Sequence, residues 1–164
     1  MLDKLMLKMA EFDAASPQRI QHFTKVHAFC ALIGRSEKLN EKQQLILEAA
    51  AYTHDIGIRP AIEKYGSAAG PLQEKEGPAY AEKMLSELGF ANDVTERVCW
   101  LIAHHHTYSP VDGIDHRILI EADFLVNLFE GNASPEACRA AYDNHFTTAA
   151  GKQLWRNMFE EADA

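Results

Sequence analysis

The stretch Ala49–Ile58, AAAYTHDIGI, ends a helix-forming run on a histidine and an aspartate. Alanine is the strongest helix former, and Gly57 is a natural stop. An aspartate near a helix C-terminus meets a dipole that is already negative there. His54 and Asp55 at that point ask for a local positive charge, and a metal cation supplies one. For a pair standing alone, a hydrogen-bonded carboxylate beside a packed imidazole would be explanation enough, so the rest of the chain decides.

More residues of the same chemistry follow. Val94, Val98, Leu101, Ile102 and His105 share one helical face, which aims His105 where the core residues point. His104 and His106 are turned about 100° to either side, where they would line the mouth of a site. The run ILIEADFLVNLF sets Asp123 near an apolar face of Leu119, Ala122, Val126 and Phe129. A carboxylate there is costly to bury unless it is paired or bound to a cation; a salt bridge, for instance to Arg117, is the competing explanation. Upstream, His22 shares a stripe with Val26, Phe29 and Ile33, and His27 shares another with Ile20, Phe23 and Cys30. Periodicity does not choose between these two histidines. Imidazoles and carboxylates meeting inside a helical bundle suit a divalent transition metal: Fe, Mn, Co, Ni or Zn. A water bound to such a metal is a nucleophile at neutral pH. The chain carries no glycine-rich phosphate loop, no G-x-S-x-G elbow and no catalytic-cysteine signature.

The elements that must position these residues read as helices. Leu2, Leu5, Met9 and Phe12 recur at helical spacing; Ser16-Pro17 opens a second helix that runs to about Ile33, and Asn40-Glu41 a third that ends on His54-Asp55. A loop is expected from Gly57 to Gly70, with a fourth helix from Gly77-Pro78 to Leu88. A fifth runs from Asn92-Asp93 through the histidine run, and a sixth from about Asp115 to Phe129. Ser134-Pro135 caps a seventh, and a last helix lies near 151–161. No segment shows sustained period-two alternation. The expected fold is all-α: one bundle-like domain over 1–164, about seven or eight helices, with the motif-bearing core at about 16–130.

The chain has 164 residues, 47% hydrophobic and 24% charged, the balance of one globular domain with a sizeable core. A net charge of −8 argues against binding duplex nucleic acid. It leaves room for a small anionic substrate, because a metal and a few cations reverse the field inside a cleft. Cys30, Cys99 and Cys138 are scattered and odd in number, which reads as reduced thiols of a cytosolic protein. The N-terminal segment is amphipathic rather than signal-like, and no run reaches membrane-span length. The expectation is a cytoplasmic protein with no membrane partner; the sequence leaves its oligomeric state open.

Four pieces in order, RIQHFTKVHAFC, AAAYTHDIGI, ERVCWLIAHHHTY and EADFLVNL, resemble the HD-domain superfamily of metal-dependent phosphohydrolases, in a small bacterial branch of unassigned substrate. The resemblance spans roughly Arg19 to Leu128. The family's first histidine has the form H-x-x-x-V, which His22 and Val26 match. It implies His22, His54, Asp55 and Asp123 as ligands of one metal. His105 resembles the later histidine of two-metal members, binding a second metal or a phosphate oxygen. The implied reaction is hydrolysis of a phosphate mono- or diester, of a nucleotide or other small phosphorylated metabolite, through a metal-bound water. In it Asp55 orients the attacking hydroxide, and His105, flanked by His104 and His106, contacts the phosphate or protonates the leaving group. Arg59 and Lys75 are candidate phosphate-binding cations, as are Arg19 and Lys64.

Two departures bear on this. Ile58 stands where many members have the lysine of HDIGK, with Arg59 following. The extra histidine of two-metal members is missing from GPLQEKEGPAY, where Glu74 or Glu76 is the candidate substitute. The reading is thus one complete metal site with a second left open. Two alternatives stand beside it: a di-iron oxygenase of the same superfamily, and a non-catalytic nucleotide- or metal-binding regulatory module.

Overall fold

A computed structural model describes residues 1–160. Among them the chain forms α-helices and no strand: α1 (Leu2–Phe12), α2 (Pro17–Ser36), α3 (Glu41–Thr53), α4 (Ile58–Tyr65), α5 (Gly70–Glu87), α6 (Asn92–Ile102), α7 (Gly113–Glu130), α8 (Pro135–His145) and α9 (Ala149–Phe159). The all-α expectation holds. The starts follow local chemistry. Asn40 closes a capping box with Gln43; Ser134 and Thr148 accept from Ala137 N and Gly151 N; prolines sit in the first turns of α2, α5 and α8. The expected end of the last helix at Glu161 lies outside the described residues.

Three of the boundaries that differ from expectation bear on the site. The segment read as a loop from Gly57 to Gly70 contains α4, which stops at Gly66 in the left-handed region (φ 69°). The next helix begins at Gly70-Pro71, not Gly77-Pro78, so Pro78 sits inside α5. Gly77 serves packing: a Cβ there would lie 2.6 Å from Ile102 Cγ2. Finally, α6 stops at Ile102, so the histidine run occupies the turn beyond it.

The core is one cluster. α2 packs against α3 and α7, α3 against α6 and α7, and α5 against α6. Ala49, Ala50 and Ala51 have no solvent exposure. Their small side chains let the neighbouring helices approach α3 just before His54. α7 is buried along most of its length, from Asp115 to Leu128. No helix among the described residues is long and apolar enough to cross a membrane.

Candidate metal centre

α2, α3 and α7 bring His22, His54 and Asp123 together, and the turn after α3 adds Asp55. His22 Nε2 lies 3.2 Å from His54 Nε2 and 3.2 Å from Asp123 Oδ1. His54 Nε2 is 3.5 Å from that same oxygen, and Asp55 Oδ2 is 3.5 Å from both nitrogens. Ligand atoms at about 2.1 Å around a shared cation stand about 3.0–3.4 Å apart; two of these spacings fall in that range and the other three lie just above it. The two histidines and Asp123 are buried, while Asp55 keeps 20% side-chain exposure.

Ring orientation supports the fit. His54 Nδ1 donates to Ala51 O (2.9 Å) and His105 Nδ1 to Ile102 O (2.7 Å). A carbonyl can only accept, so the Nδ1 of each carries the proton and Nε2 faces inward as a lone pair. His22 Nδ1 is held instead by Glu130 Oε2 at 2.8 Å, and Glu130 Oε1 is 2.7 Å from Lys25 Nζ. Asn127 Nδ2 donates to Asp123 Oδ1 at 2.8 Å. Bare nitrogen and oxygen lone pairs facing one another in a buried space need a cation or a proton between them.

A second group adjoins the first. Ligand atoms of Asp55, His105 and His106 all lie within 4.8 Å of one another. Asp55 joins the two groups, with Oδ2 toward His22 and His54 and Oδ1 3.6 Å from His105 Nε2. His105 Nε2 is buried and has no hydrogen-bond partner. Neither proposed substitute for the missing histidine joins this group. Glu74 Oε1 accepts from His106 N and Thr107 Oγ1, while Glu76 Oε1 accepts from Tyr65 and Lys64. Buried Gln73 reaches the His106 ring, its Oε1 3.5 Å from His106 Nε2 and its amide nitrogen donating to Ala68 O. Gly57 permits this approach, since a Cβ there would lie 2.3 Å from Gln73 O.

The remaining candidates are engaged elsewhere. His27 stacks on Tyr52 and bonds Glu48. His104 stacks on Trp100, with Nδ1 bonded to Trp100 O. Arg59 bonds Glu63 and Phe12 O, and Lys75 lies over the Tyr65 ring. Arg19 pairs with Asp13, Lys64 with Glu76, and Arg117 donates to His145 O rather than pairing with Asp123. The cations nominated for phosphate are thus tied into other contacts. Glu130, Asn127 and Gln73 were missed as site residues. Asn127 and Glu130 lie four and seven residues after Asp123, on nearly one helix face.

The charges answer one another. Burial alone would lower the His54 pKa, but the Asp55 charge and a hydrogen bond to Asp123 raise it to about 9. Burial would raise Asp55, yet the positive His54 and nearby His105 bring it down to about 2. Asp123 goes the same way: against burial, its bonds to His22 and His54 hold it well below the carboxylate range. His106 is lowered by burial and by His105.

Fold and site together define an all-helical bundle with a buried His/Asp centre built across three helices. The HD domain family matches residues 19–144, more than half of the chain, and the chain belongs to that family. It is similar to the crystal structure of a predicted HD superfamily hydrolase from an uncultured Thermotogales bacterium, with a TM-score of 0.67 and 24% identity. The match covers 94% of this chain and 83% of that one, and it shows a shared fold. No curated protein matches the chain.

Proposed function

We propose that the protein is a metal-dependent phosphohydrolase acting on a phosphate mono- or diester of a nucleotide or other small phosphorylated metabolite. The observation that carries this reading is the convergence of His22, His54, Asp55 and Asp123 with every Nδ1 already committed elsewhere. A divalent cation held there supplies Lewis acidity, polarising a phosphoryl oxygen and making water acidic enough to attack at neutral pH. Asp55 stands between the two groups and is placed to receive the proton of the attacking water. His105 and His106 offer nitrogens to a phosphate oxygen, and His105 in its protonated form can return a proton to the leaving oxygen.

The second group supports a two-metal variant of the reading and, with it, the di-iron oxygenase alternative. Against the oxygenase, Glu74 and Glu76 are occupied by other bonds. The regulatory alternative draws on Ile58 replacing the HDIGK lysine and on the engagement of Arg59. Elemental analysis of the purified protein, with Asp55→Ala as control, followed by a panel of phosphate esters, tests the proposal. A divalent metal lost in the variant, with metal-dependent hydrolysis of a mono- or diester of the panel, supports it. Two irons with a di-iron optical spectrum would favour the oxygenase. A metal-replete protein inert on the panel would favour the regulatory module.

A further inference from the structure

We infer that Glu130 is a positioning residue of the centre: acting through His22, it fixes the ring nitrogen that faces inward and raises affinity for a divalent metal. The inference rests on the metal reading above. His54 and His105 are each anchored by a carbonyl three residues earlier in the chain, Ala51 O and Ile102 O. His22 sits inside α2, and its Nδ1 partner comes from far along the chain, at the last residue of α7. That partner is a carboxylate. A charged acceptor bonds more strongly than a neutral carbonyl and makes the opposite ring nitrogen a better donor to a metal.

Glu130 is itself held from two sides. Its Oε1 meets Lys25 Nζ at 2.7 Å, and its Oε2 meets His22 Nδ1 at 2.8 Å. Lys25 lies one turn beyond His22 on α2. Glu130 lies two turns beyond Asp123 on α7, and therefore on nearly the same face. One helix thus supplies a candidate ligand, Asp123, and the support for another, His22. Partly exposed salt bridges contribute little to stability. A Glu130–Lys25 pair serving the fold alone would therefore leave metal affinity unchanged.

The test is a double-mutant cycle read as zinc affinity, by competition with a chromophoric chelator. Glu130→Ala is expected to weaken zinc binding by about 10- to 100-fold. Glu130→Gln, which keeps an acceptor oxygen without its charge, is expected to give a smaller loss and so guards against misfolding of the alanine variant. In a His22→Ala background, Glu130→Ala is expected to add no further loss. Equal losses in both backgrounds would overturn the inference, because Glu130 would then act without His22. Wild-type zinc binding left unchanged by Glu130→Ala and Glu130→Gln would overturn it while sparing the metal reading. A wild-type protein that binds no divalent metal would overturn both.

Discussion

Glu121 and Asp123 lie two residues apart on α7, both buried, and their geometry gives them unrelated tasks. Two positions along a helix turn the side chain by about 200°, so the two carboxylates face opposite sides. Asp123 faces His22 and His54. Glu121 faces the start of α9: its Oε1 accepts from Thr147 N (2.6 Å) and Thr148 N (2.9 Å), and its Oε2 from the Thr148 hydroxyl. Glu121→Ala strands these donors against a cavity. Each buried donor left unpaired costs about 1–3 kcal/mol, and partial rehydration of the α9 terminus limits the total to about 3–5 kcal/mol. For a chain of this length that is a fall in Tm of about 6–20 °C. Glu121→Gln keeps an oxygen for the backbone donors and is expected to cost about 1–2 kcal/mol.

Asp123→Asn should do the reverse. It keeps the shape and removes a ligand charge, so bound metal should be lost. The stability of the metal-free form changes less, because His54 can respond by releasing its proton. Thermal melting beside metal content by mass spectrometry separates the two roles. A Glu121→Ala protein that melts normally but lacks metal, or an Asp123→Asn protein that keeps its metal, would refute the reasoning.

The His54 pKa lies above its unfolded value of 6.5; protonated His54 therefore stabilises the metal-free fold fully below about 6.5 and progressively less as pH rises through about 9. Metal needs the unprotonated nitrogen, so affinity should rise about tenfold per pH unit across that window; calorimetric titrations showing flat affinity there would contradict this. Gly57→Ala places a Cβ 2.3 Å from Gln73 O. It should cost about 1–3 kcal/mol by denaturant unfolding, and a cost near zero would show that α5 shifts freely. His105→Ala should slow ester hydrolysis at least about 100-fold, whereas His104→Ala, which removes a ring stacked on Trp100 and bonded to Trp100 O, should leave kcat near wild type in the same assay.

The parts of the site legible in the sequence are those where a local pattern conflicts with burial. Asp55 closes a helix whose dipole rejects it, Asp123 interrupts an apolar run, and His105 shares a stripe with Val98 and Leu101. What failed was extrapolation of periodicity past an element's end. His104 and His106 were expected to flank His105 evenly, but α6 stops at Ile102. In the turn that follows, His106 swings beside His105, with ring centroids 3.9 Å apart, and His104 folds back on Trp100. α4 is hidden in the sequence because the glycines that flank it and its own proline resemble loop composition, although Pro60 falls within the first turn, where no N–H is needed. Glu130 left only its place seven residues after Asp123, on nearly the same helix face. A glutamate at a helix end reads as a solvated charge, and its partner His22 is remote in the chain.

The alanine run that opens the HD stretch connects fold to chemistry. Ala49, Ala50 and Ala51 are wholly buried, so their choice over larger residues reflects closeness of packing as much as helix propensity. That closeness puts His54 Nε2 within 3.5 Å of ligand atoms from α2 and α7. The helices are held at this distance by apolar contacts that do not involve the ligands: Phe23, Val26 and Ile33 on α2, Ile46 and Leu47 on α3, Leu119, Leu125 and Val126 on α7. A rigid frame therefore presses lone pairs together, and a positive charge among them is a requirement of the packing itself. In the metal-free form a proton on His54 meets it, which is why two carboxylates titrate low while a wholly buried imidazole titrates high. A divalent metal held by these residues would compete with that proton for the same place, so its affinity would depend on pH.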